Sequence, residues 1–216
     1  MAERAHRPGI YVLAGTNGAG KSSLIGAMFE QAGEDYFNPD TAARRILAAN
    51  PGITPSQANS TAWYQGKRLL EQAIAHRLRF AFETTLGGNT ITGLLEKALV
   101  AGIDVRIWYV GLATPELHVA RVHARVKNGG HDIPEATIRQ RYHQSRLNLI
   151  RLLPRLTELR VFDNSEDGDP LASIAPTPTL LLHWLNGMIV ASGDLPRTPA
   201  WAKPILAVAL AATGTR

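Results

Sequence analysis

Gly15-Thr16-Asn17-Gly18-Ala19-Gly20-Lys21-Ser22 is the stretch of this chain whose residue types most directly imply chemistry. It fits the pattern G-x-x-x-x-G-K-[ST], the P-loop, whose glycines turn successive backbone N–H groups into a concave nest at the start of a helix. Partial positive charge at that helix end favours phosphate oxygens. In such a loop Lys21 reaches the β- and γ-phosphates of a nucleoside triphosphate and Ser22 ligates Mg²⁺, with Ser23 counted in the same nucleotide-binding set. A glycine turn that binds nothing would account for Gly15, Gly18 and Gly20, but not for a Lys-Ser pair at this position.

Asp40, Glu83 and Asp163 fall at the carboxyl ends of predicted strands, as Gly15 does, and ligands collect at that rim of a parallel sheet. Phosphoryl transfer needs a carboxylate to take the proton of an acceptor hydroxyl and cations for the charge on the moving group. Asp40 is the candidate base; it is equally suited to cap the helix that follows, and the two roles can coexist. Glu83, between Phe82 and Thr84-Thr85, is poorly placed for a charge unless it meets a cation, a metal or a substrate. Arg121 and Arg125 lie one helical turn apart on one face, so they either contact the transferring phosphoryl group or form a solvated surface. For Asp163-Asn164 a polar turn, and for His131 an ordinary exposed histidine, compete with a role in the site.

The elements that must position these groups alternate in type. Ile10 to Ala14 reads as a buried strand, Ser22 to Phe29 as a helix, and Tyr36 to Asp40 as a short strand before a helix over Thr41 to Ala49. A second helix runs from Thr54-Pro55-Ser56 to about Leu78, and Arg79 to Thr85 is the next strand. Thr90 to Ala101 is helical, Val105 to Gly111 a strand, Thr114-Pro115 to Lys127 a helix, and Pro134 to about Leu153 a long basic helix after the Gly129-Gly130-His131 loop. Arg160 to Ser165 is the last parallel strand; beyond it Thr179 to Trp184 suits another strand and Trp201 to Ala212 a packing helix. The pattern predicts an α/β protein of the P-loop NTPase kind: a mostly parallel sheet of five to six strands covered by helices, with a helical basic lid over about residues 115–153. One domain is expected for residues 1–216, with a core over about 8–166 and a packing segment over 167–216.

The chain has 216 residues, no cysteine and a net charge of +5, which excludes a disulfide framework, a thiolate zinc site and a catalytic thiol. Nine Lys/Arg against three acids between Arg121 and Arg160 account for the whole excess. That suits a polyphosphate clamp better than a nucleic-acid surface, so a nucleic-acid partner is not expected. No secretory leader and no apolar run long enough to span a bilayer are read, so a cytoplasmic protein with no membrane partner is expected.

The P-loop, the Asn38-Pro39-Asp40 turn, Phe82-Glu83-Thr84-Thr85-Leu86, Arg121 and Arg125 with Gly129-Gly130-His131-Asp132-Ile133-Pro134, Arg139 and Arg141, and Val161-Phe162-Asp163-Asn164-Ser165 together resemble the zeta toxin family of P-loop kinases. The resemblance covers about residues 8 to 166 and is to the compact, chromosomal-type members. It implies a kinase that uses ATP or GTP with Mg²⁺ and, as in the better-known toxins, phosphorylates the amino sugar of UDP-N-acetylglucosamine. Carried over by position, Lys21 and Ser22 hold phosphates and Mg²⁺ and Asp40 is the base. Asn38, Glu83, Thr84 and Thr85 meet the acceptor, Arg121 or Arg125 and the His131 loop cover the phosphates, and Asp163 and Asn164 border the base of the nucleotide. An antitoxin protein is the partner such a kinase would have. A metabolic kinase of the gluconate or shikimate sort, and a nucleotide-binding regulatory module that transfers nothing, remain open as alternatives.

Overall fold

The computed structural model describes residues 8–21, 36–127, 129–130, 132–166 and 177–213. Ser22, Ser23, His131 and the predicted helix at 22–29 lie outside the described residues. Six strands, β1 (Gly9–Ala14), β2 (Phe80–Thr84), β3 (Asp104–Gly111), β4 (Glu158–Asp163), β5 (Thr179–Leu185) and β6 (Met188–Ser192), form one sheet in the order β2-β1-β3-β4-β5-β6. The first four are parallel, and β5 and β6 close the far edge antiparallel. β1, flanked on both sides, is apolar throughout, as a strand buried on both faces must be. Its register sets Ala14 beside Thr84 and Tyr109, while Gly111 lies beside Asp163, so the loops after β1, β2 and β4 leave from one rim.

The described residues also contain six α-helices: α1 (Pro39–Ala49), α2 (Pro55–Ala75), α3 (Asn89–Val100), α4 (Pro115–Lys127), α5 (Glu135–Leu152) and α6 (Lys203–Thr213). Local chemistry explains their ends. A capping box between Thr54 and Gln57 opens α2. It stops before the expected Leu78 because Arg77 adopts a left-handed φ of +53° and the Leu78 N–H returns to the Ala73 carbonyl, a Schellman close. The main core fills one face of the sheet, where Ile10, Val12, Val105, Ile107, Leu159 and Val161 lie against helical residues such as Leu95, Leu149 and Ile205.

Two differences from the sequence expectation bear on the site. The strand expected at Tyr36 to Asp40 is a single bridge, Phe37 to Phe82, and α1 begins at Pro39, so Asp40 sits in a helix's first turn rather than at a strand end. Proline favours the first helical position, which pulls the helix start forward. Past residue 166, Thr179 does begin a strand, but it forms a hairpin with an unexpected β6 through Asn186-Gly187, both at positive φ. Among the described residues no helix is long and apolar enough to cross a membrane.

Candidate active site

The loop after β1 is shaped by close backbone approach. A Cβ on Gly15, at φ +143°, would strike the Val110 carbonyl, and one on Gly18, at φ +81°, would lie 2.6 Å from the His118 carbonyl oxygen. Lys21 follows, buried, its ammonium donating to the carbonyls of Gly15 at 2.7 Å and Thr16 at 3.4 Å and lying 3.5 Å from Glu83 Oε1. His118 of α4 supports the loop from behind, its Nδ1 donating to the Asn17 carbonyl at 2.8 Å. Burial holds that imidazole neutral, with its pKa pushed down to about 4. Asn164 donates to the Ala19 carbonyl at 2.9 Å. A concave backbone with no room for side chains, beside a buried ammonium, fits a phosphate chain.

On the other side of Lys21, one asparagine fixes two carboxylates. Asn38 Oδ1 accepts from the Thr41 N–H at 3.1 Å, capping α1, while its Nδ2 donates to Glu83 Oε2 at 3.0 Å. Asn38 and not Asp40 is therefore the cap, because Pro39 takes the first helical position and Asp40 the second. The Asp40 carboxylate is left at the cleft, 3.8 Å from an Arg125 guanidinium nitrogen. Thr84 Oγ1 accepts from the Leu86 N–H and Thr85 Oγ1 from the Gly87 N–H, which leaves each hydroxyl proton to donate elsewhere. Arg141 of α5 reaches Asn17 Oδ1 at 2.9 Å, and burial lowers its pKa.

These groups meet in a cleft of about 720 Å³ lined by Lys21, Asp40, Glu83, Thr84, Thr85 and Arg141, among others. Trp63 and Tyr64 of α2, packed edge to face at 5.0 Å, form part of its wall. Other expected residues are placed elsewhere. Asn38 acts through Glu83 and the α1 cap. Arg121 donates to the carbonyls of Asn164 at 2.8 Å and Glu166 at 3.4 Å, tying α4 to the segment after β4. Asp163 Oδ1 accepts from Ser165 Oγ and from Trp201 Nε1, facing the chain before α6. Among the described residues no cluster of His, Asp and Glu suits a metal.

Sequence reasoning singled out Arg141 only as part of a motif and passed over His118, Ser145 and Asn148. Their signal was there in helical spacing. Ile138, Tyr142, Ser145, Leu149 and Leu152 form the buried stripe of α5, so a serine and the neighbouring Asn148 occupy core positions, where an unsatisfied polar group is costly.

A family model described as Zeta toxin matches residues 1–167. The chain belongs to the zeta toxin family. With it the protein takes its place among the P-loop kinases. An uncharacterized protein of Haemophilus influenzae is 35% identical over 128 residues, 59% of this chain and 88% of that protein. A chain of the AvrRxo1-ORF1:AvrRxo1-ORF2 complex solved with ATP superposes with a TM-score of 0.63 at 15% identity, covering 98% of this chain and 82% of its own. A chain of the PezAT chromosomal toxin-antitoxin system of Streptococcus pneumoniae gives 0.54 at 13% identity, covering 74% and 69%. In two other AvrRxo1 structures this chain spans 61% and 64% of the chain it matches. At such identities the structural likeness is one of fold.

Proposed function

We propose that this zeta toxin family member transfers the γ-phosphoryl group of ATP to a hydroxyl of a small acceptor, with a sugar nucleotide such as UDP-N-acetylglucosamine the first acceptor to try. The observation that carries the reading is the single cleft that joins Lys21 of the glycine loop to Asp40 and Glu83. The neighbour of the same fold solved with ATP supports ATP as a phosphoryl donor. ATP with Mg²⁺, for which Ser22 is the candidate ligand, supplies the phosphoryl group and neutralises its oxygens.

In this reading the loop from Gly15 to Lys21 holds the phosphates, and Lys21 exchanges its carbonyl contacts for phosphate oxygens. Asp40 takes the proton of the acceptor hydroxyl as the hydroxyl oxygen bonds to the γ-phosphorus and the bond from that phosphorus to the bridging oxygen breaks, releasing ADP. Glu83, held by Asn38 and Lys21, and the donating hydroxyls of Thr84 and Thr85 bind the acceptor. Of Arg121 and Arg125, Arg125 is the one joined to a cleft residue, Asp40, and it is assigned to the transferring group. Arg121 is assigned to the segment after β4, with Asn164, which holds the Ala19 carbonyl, on the nucleotide side. The PezAT relative belongs to a toxin-antitoxin system, which supports an antitoxin as partner here too. Incubation with ATP, Mg²⁺ and a panel of sugar nucleotides and sugars, read by mass spectrometry, should give one phosphate on one acceptor class. No product across the panel would contradict the proposal.

A further inference from the structure

The segment leaving β2 carries Thr84 and Thr85 into the cleft and then makes a turn that its sequence does not favour. Leu86 is fully buried and has a φ of +54°, a left-handed backbone that is strained for a residue with a Cβ. Two side chains of α5 grip the carbonyls around this kink. Ser145 Oγ donates to the Thr85 carbonyl at 2.7 Å, and Asn148 Nδ2 donates to the carbonyls of Leu86 at 2.8 Å and Gly88 at 3.3 Å. Both are buried and both have their remaining capacity used. Tyr109 of β3, 3.0 Å away, donates to Ser145 Oγ because the serine proton is already committed, and Gln144 donates to Asn148 Oδ1 at 3.1 Å. Burial raises the Tyr109 pKa to about 12, so its phenol keeps its proton. Gly87 completes the contact, since a Cβ there would come within 2.7 Å of Arg141 Cγ.

We propose that Ser145 and Asn148 are positioning residues for the acceptor half of the site: from α5 they hold the Leu86 kink, and the kink aims the Thr84 and Thr85 hydroxyls at the bound acceptor. The inference rests on the phosphotransfer reading above. It makes a separable demand, because Asn148 bonds the kink and Gln144, while Ser145 meets the glycine loop only at second hand, through a Tyr109 hydroxyl whose own bond to Thr16 does not need the serine. Loss of the clamp therefore weakens acceptor use and leaves nucleotide use alone.

The test is steady-state kinetics on the full chain with UDP-N-acetylglucosamine as the acceptor probe, for Asn148→Leu and for the smaller change Ser145→Ala, which guards against a variant that does not fold. The acceptor KM should rise about tenfold while the ATP KM stays within about twofold. Both constants moving together, or neither moving, would overturn the proposal. If the wild type proves inactive on this probe, the phosphotransfer reading is what has failed for it, and the clamp is read by amide hydrogen exchange. Faster exchange confined to residues 84–88 supports the clamp, and unchanged or uniformly faster exchange overturns it.

Discussion

Lys21 and Glu83 are 6% and 13% exposed, so each charge depends on the groups fixed around it. Asn38 is the least obvious of these, since one amide both caps α1 and donates to Glu83. Asn38→Ala should cost about 1 kcal/mol in chemical denaturation from the cap alone. It should also weaken acceptor use, whereas a purely local cap would leave kinetics untouched. His118 gives a pH signature. Its native pKa of about 4 lies below the ordinary 6.5, so the unfolded chain takes up the proton first as pH falls. The stability this histidine contributes is complete above pH 6.5 and is lost as pH drops toward 4. Between pH 7 and 5 the loss should be about 2 kcal/mol. His118→Asn, which keeps a donor for the Asn17 carbonyl, should flatten that slope in denaturation curves recorded across the range.

The glycine loop and the rim it shares with β2 were legible in the sequence because both depend on short-range patterns, an apolar run followed by turn residues. Asp40, expected at a strand's carboxyl end, stands instead in a helix's first turn and lines the cleft from there. What could not be read was contact across distance. Ser145 and Asn148 bind carbonyls about 60 residues away in the chain, and no local period announces such a partner. The β6 hairpin is a different omission. Asn186-Gly187 between two runs is a strong two-residue turn signal, but Met188 and Val190 are apolar and exposed, so β6 lacks the alternation that marks a strand. At this scale the loop makes the sharpest prediction. Gly18→Ala places a methyl against the His118 carbonyl at an unfavourable φ, and should lower nucleotide affinity more than about tenfold while circular dichroism shows the fold retained.

Across the whole molecule, the family match ends at residue 167, but the sheet does not. β5 and β6 cover the edge of β4, and Trp201, Ala202, Ile205 and Leu206 belong to the main core. Trp201 stands where a Cβ on Gly111 would collide with its ring, and its indole N–H reaches Asp163 at the site's rim. Truncation after Glu166 would open that core and expose β4 as an unpaired edge. The truncated chain should be insoluble or lack a cooperative unfolding transition, although it keeps nearly all of the family-matching region. The central claim concerns the cleft itself, where a phosphoryl group held at Lys21 meets a hydroxyl deprotonated at Asp40. The most direct measurement follows label from γ-³²P-ATP into the acceptor for the wild type, Lys21→Ala and Asp40→Asn, with nucleotide binding recorded on the same preparations. The wild type should label the acceptor, Lys21→Ala should lose nucleotide binding, and Asp40→Asn should bind nucleotide normally while transferring at least about 100-fold more slowly. Transfer at the wild-type rate by Asp40→Asn, or labelled acceptor from Lys21→Ala, would contradict the account.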